Sequence, residues 1–140
     1  MGRSYWFECA KCGYRAKVSG RADRGLSFFV QTILCRDCRE LYDAVSRMKV
    51  PDGLDGWGNF GELRWAKLLK ARPRITAPPS FQKALNRLPP TGTGRFKWLP
   101  FKLQCPISAP HRVRAWNDPD RCPKCGVYLE KGALPYRLWD

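Results

Sequence analysis

The sequence predicts a small metal-stabilised α+β protein in three regions, 1–50, 51–100 and 101–140. Three observations predict it. Six of the seven cysteines stand in C-x2-C pairs near the two ends, Cys9/Cys12, Cys35/Cys38 and Cys122/Cys125. Period-2 patterning follows the first pair, whereas helical spacing dominates the middle. A chain of 140 residues with 44% hydrophobic residues, including six tryptophans, can bury a core, and metals commonly supplement cores of this size.

Metal is a better use of these cysteines than disulfides. Seven is odd, so one cysteine would be left over, and the x2 spacing is that of metal knuckles. The first seven residues begin no apolar run of signal-peptide length and no stretch is apolar enough to span a bilayer, so a reducing, cytoplasmic setting without membrane is expected.

In the first region, residues 14–18 alternate apolar and basic side chains, 19–25 are rich in turn formers, and 26–34 form a β-branched and aromatic run, which predicts a hairpin. Leu41, Tyr42, Val45 and Met48 are spaced for one face of a helix ending before Pro51. Two thiolates separated by two residues can curl round one ion, so Cys9 and Cys12 supply half a tetrahedral site, and Cys35 and Cys38, 22 residues on, complete it. This order of knuckle, hairpin and a second pair opening a helix resembles the treble-clef zinc fingers. The resemblance implies a scaffold and four ligands, and no particular substrate.

In the middle region, Asn59 and Glu62 predict a helix start leading into residues 63–70, with Trp65, Leu68 and Leu69 inward. Ser80 is placed to cap a second short helix carrying Phe81, Ala84, Leu85 and Leu88, stopped by Pro89 and Pro90. Residues 96–103 read as extended.

In the last region, Cys122, Cys125 and Gly126 form a knuckle that resembles those of zinc ribbons and rubredoxin-like folds. Cys105 and the only histidine, His111, complete a site of three cysteines and one histidine. Two zinc ions are therefore expected. Iron has the same ligand types, but the histidine and the basic surroundings favour zinc over an electron-transfer centre.

The formal net charge is +14, falling to about +11 with seven thiolates and two zinc ions. Between Leu63 and Asn117 there is no Asp or Glu and there are twelve Lys and Arg. Such a one-sided stretch cannot form the local ion pairs of an ordinary solvated helix face, and a polyanion would relieve its self-repulsion. Nucleic acid is the expected partner, contacted by Arg64, Lys67, Lys70, Arg72, Arg74, Arg95, Lys97, Arg112 and Arg114. RNA is favoured over DNA because Phe96, Trp98 and Trp116 stand beside cations and can stack on unpaired bases, and a ribonucleoprotein is one setting for such a protein.

Two further function classes compete. The zinc modules could act as a protein adaptor, presenting the apolar 134–139 segment to a protein partner. A zinc enzyme needs an open metal position and a placed acid and base, yet only Asp118, Asp120 and Glu130 lie near the second site and no H-x-E or H-E-x-x-H pattern occurs. No enzyme is expected.

Overall fold

The structure, a computed structural model, describes residues 1–51, 80–86 and 96–140. They form eight strands and one short helix: β1 (Gly2–Glu8), β2 (Arg15–Val18), β3 (Asp23–Arg24), β4 (Phe28–Cys35), β5 (Glu40–Pro51), α1 (Phe81–Leu85), β6 (Phe96–Pro100), β7 (Val113–Ala115) and β8 (Glu130–Trp139). Three strands make one antiparallel sheet in the order β2-β1-β8; the other runs β3-β4-β5-β6, with β7 added to the far end of β4.

The α+β expectation is therefore overturned: the described residues are predominantly β, with a helix of only five residues. The helix expected after Cys38 is the long strand β5, and the reason lies in a bulge. Pairing with β4 steps from Phe29↔Arg47 to Val30↔Val45, so Ser46 has no partner in the ladder. The extra residue shifts the alternation, and Val45 and Met48, three apart, both enter the same core. A bulged strand thus shows the i, i+3 spacing of a helix. With a strand behind its second cysteine pair, the chain does not have the treble-clef order.

The expected hairpin also changes partners. Residues 15–18 and 28–35 are strands, but β2 pairs with β1, and β4 pairs with β5. The four-residue turn between β4 and β5, residues 36–39, contains Cys38 and directly follows Cys35 at the end of β4. In α1 the sequence reading holds over its described part: the Ser80 hydroxyl accepts from the Lys83 N–H, and Ala84 is buried. The predicted helix over 63–70, and Leu88, lie outside the described residues.

The core has two clusters. Phe7, Cys9, Ala16, Val18, Leu41, Trp116, Cys122 and Leu129 form the first. Within it the Trp116 and Phe7 rings meet edge to face at 5.2 Å. Phe28, Val30, Val45, Met48, Ala84 and Trp139 form the second, where Trp139 stacks on Phe28 at 4.8 Å. Since Trp139 ends β8, whose partner is β1, the three-stranded sheet closes over a core lined by the other sheet.

A buried carboxylate joins the sheets. Asp43 on β5 accepts from the Thr32 hydroxyl on β4 at 2.7 Å, and from the Ser19 N–H at 2.9 and 3.0 Å and the Ser19 hydroxyl at 3.0 Å, just past β2. Burial pushes its pKa up to about 6, against the lowering effect of those donors. A folded-state pKa above the ordinary value means that the folded chain holds the proton longer. Stability from this group is therefore full below pH 3.8 and is lost as pH rises through about 6. In urea titrations, Asp43→Asn, which cannot ionise, should gain stability relative to the parent as pH rises from about 4 to about 6. A pH-independent difference would contradict this.

Candidate metal centres

Each of the three C-x2-C segments turns a hairpin. The Cys9 segment links β1 to β2, the Cys35 segment links β4 to β5, and the Cys122 segment is flanked by the antiparallel bridge Arg121↔Tyr128. Two of them match bond for bond. Cys9 N–H donates to Tyr14 O (2.8 Å) and Gly13 N–H to Cys9 O (2.9 Å). Cys122 N–H donates likewise to Val127 O (2.6 Å) and Gly126 N–H to Cys122 O (3.0 Å). Gly13 and Gly126 have φ of 72° and 79°, where a side chain would be strained. The third knuckle has Arg39 at that place, with φ 55°, and its guanidinium donates to the Lys124 carbonyl at 2.7 Å.

The structure brings all eight predicted ligands into two groups of four, each able to hold a metal ion, but divides them differently from the sequence reading. Cys9 and Cys12 meet Cys122 and Cys125; Cys35 and Cys38 meet Cys105 and His111. Within each group the donor atoms all lie within 4.8 Å of one another. A tetrahedral zinc with bonds of about 2.3 Å to sulfur needs sulfurs about 3.8 Å apart. Cys12 and Cys122 sulfurs lie 3.7 Å apart, as do those of Cys38 and Cys105, whereas Cys9 to Cys125 is 3.3 Å. His111 turns Nδ1 to the site, 3.6 Å from Cys35 and 3.3 Å from Cys38 sulfur. None of the seven cysteines is in a disulfide. Donor type, number and spacing all fit zinc.

The physical reason for the division is topological. Because β8 lies on β1, the last region is carried to the β1–β2 turn, while β7 lies on β4 and delivers the 105–111 segment to the β4–β5 turn. Asp37, between Cys35 and Cys38, fixes that delivery: its carboxylate accepts from the Arg112 N–H at 2.7 Å, and the Arg36 N–H donates to Arg112 O at 2.9 Å. The Arg112 N–H, with its guanidinium, holds the Asp37 carboxyl below its ordinary pKa.

Backbone donors tune the sulfurs. The Cys12 amide lowers Cys9 to about 7, outweighing burial. For Cys105, burial raises the pKa, but the Ser108 and Ile107 amides and His111 bring it down to about 7. Cys38 is pushed up to about 11 by burial and then by the neighbouring sulfurs of Cys35 and Cys105. Each group therefore contains one thiol that ionises near neutral pH, the form that binds a metal.

The expected nucleic-acid contacts divide as well. Arg64, Lys67, Lys70, Arg72, Arg74 and Arg95 lie outside the described residues. Lys97 is exposed on β6. Arg112 and Arg114 each have a carboxylate in reach, distant from the basic stretch or just past its end, Asp37 at 3.4 Å and Asp120 at 2.8 Å. Trp116 is fully buried and is no stacking platform. No helix among the described residues is long and apolar enough to cross a membrane. No protein-family model, no curated protein and no solved structure matches the chain.

Proposed function

We propose that this is a non-enzymatic protein that uses two zinc ions to organise a cationic body, and that it binds nucleic acid, RNA in preference to DNA, with a ribonucleoprotein as its setting. The observation that carries the reading is the net charge of +14, including a stretch of more than fifty residues without a carboxylate. Four protein donors per group leave a zinc ion no open position for a substrate, which is the arrangement of structural sites. Zinc is favoured over iron on the same grounds as before, a histidine among the ligands and a basic surround.

Purification without nuclease should leave RNA travelling with the protein. Its affinity should fall steeply with salt, and charge reversal at Arg64, Lys67 and Lys70 should weaken it while two metal equivalents remain. Absence of binding, or binding indifferent to salt, would contradict the reading. The adaptor reading is supported by the outward residues of β8, where Leu134 is 81% and Leu138 55% exposed. Loss of a protein partner in Leu134→Ser/Leu138→Ser, with RNA binding absent from the parent, would favour it.

A further inference from the structure

Across the four-stranded run β3-β4-β5-β6, cations and aromatic rings alternate on one face. Phe29 on β4 pairs with Arg24 on β3 and Arg47 on β5, and two residues further along β5, Lys49 pairs with Trp98 on β6. The Arg24 guanidinium carbon lies 5.2 Å from the Phe29 ring centre and that of Arg47 5.9 Å, while the Lys49 ammonium lies 4.7 Å from Phe96. Phe29 and Trp98 meet edge to face at 4.7 Å. The neighbours Phe28, Val30 and Met48 are buried in the second core, so the alternating row is the outer face; Arg24 and Arg47 are exposed.

Among the described residues, none of Arg24, Arg47 and Lys49 has a carboxylate within ion-pair distance. This contrasts with Arg112 and Arg114, which do. Three neighbouring cations with no ion pair among the described residues repel one another, and a polyanion relieves that repulsion. The rings and guanidinium planes between them offer π-faces, which phosphate does not need and bases do. We infer that this sheet face binds single-stranded nucleic acid, with bases stacked on Phe29, Phe96 and Trp98 and phosphates held by Arg24, Arg47 and Lys49. The inference rests on the nucleic-acid reading above and gives it a location on strands that the sequence had not connected.

The test uses the full zinc-loaded protein with a fluorescein-labelled oligouridylate of about twelve nucleotides and an RNA duplex of similar length. Arg24→Gln/Arg47→Gln should reduce the slope of log K against log salt by about 1.4, the contribution of two single-strand phosphates. Trp98→Leu should weaken oligouridylate binding about tenfold and leave the slope unchanged. Cross-linking of a 4-thiouridine oligonucleotide to the unmodified protein, which needs no variant to fold, should map to peptides containing Phe29, Phe96 or Trp98. Cross-links elsewhere, or Arg24→Gln/Arg47→Gln binding like the parent, would overturn the assignment and leave the face to an acidic protein. Binding to the duplex alone would overturn it while sparing the proposed function. If the parent protein binds neither probe, both fail.

Discussion

Cys12→Ser and Cys122→Ser should be indistinguishable: each loses one metal equivalent, each drops the thermal midpoint sharply, and the double variant loses no more metal than either alone. Their sulfurs lie 3.7 Å apart in one group although 110 positions separate them in the chain. A structural zinc site contributes about 10 kcal/mol or more of apparent binding free energy, comparable to the entire stability of a domain, about 5–15 kcal/mol. This group also closes a loop of 110 positions between Cys12 and Cys122, so its loss removes the tie between the 122–125 knuckle and the β1–β2 turn. Cys12→Ser combined with Cys38→Ser should instead lose both metals. Native mass spectrometry with thermal unfolding reads both quantities, and a second metal lost from the Cys12→Ser/Cys122→Ser double variant would refute the shared site.

Trp116→Ala should destabilise the fold by about 4 kcal/mol, the cost typical of deleting a buried tryptophan. Trp116 has no exposed surface, meets the Phe7 ring edge to face and belongs to the core cluster that also contains Cys9 and Cys122. It also carries two hydrogen bonds that tie separate elements together: its N–H donates to Thr32 O on β4 at 2.8 Å, and its Nε1–H to Arg121 O, beside the Cys122 knuckle, at 3.1 Å. The substitution thus opens a cavity and leaves the knuckle less firmly held. Trp116→Phe, which keeps a ring, should recover more than half of the loss in urea titrations, whereas a cost of less than about 1 kcal/mol for Trp116→Ala would show that this ring is not central.

The cysteine spacing made the ligands legible, because sulfur chemistry at x2 separation has few alternative uses. The division between sites was not legible, since the shortest loops suggested that Cys12 should join Cys35. One signal did point the other way. Cys12 and Cys125 are each followed by glycine, whereas Cys38 is followed by arginine, so the two glycine-bearing knuckles are the matched pair. They are the two that share a group.

Secondary structure was misread where tertiary contacts overrode local spacing. At Val45 and Met48 a bulge produced a helical interval within a strand, and nothing in residues 40–51 alone announces Ser46 as the extra residue. The ion pair of Arg112 was not legible, because a charge count along the chain cannot see Asp37, which a strand pairing brings from 75 residues away. Phe29 and Trp98 are likewise 69 positions apart in the sequence, and only the sheet makes them neighbours.

Two crossed groups of ligands, each able to hold a metal ion, join the first region of the chain to the last. Alkylation of the zinc-loaded Cys35→Ser variant, read by mass spectrometry, tests this directly. Crossed sites require Cys38 and Cys105 to react while Cys9, Cys12, Cys122 and Cys125 stay protected. Reaction at Cys9 and Cys12, with Cys105 protected alongside Cys122 and Cys125, would mean that the sites follow sequence order and would contradict the structure described above.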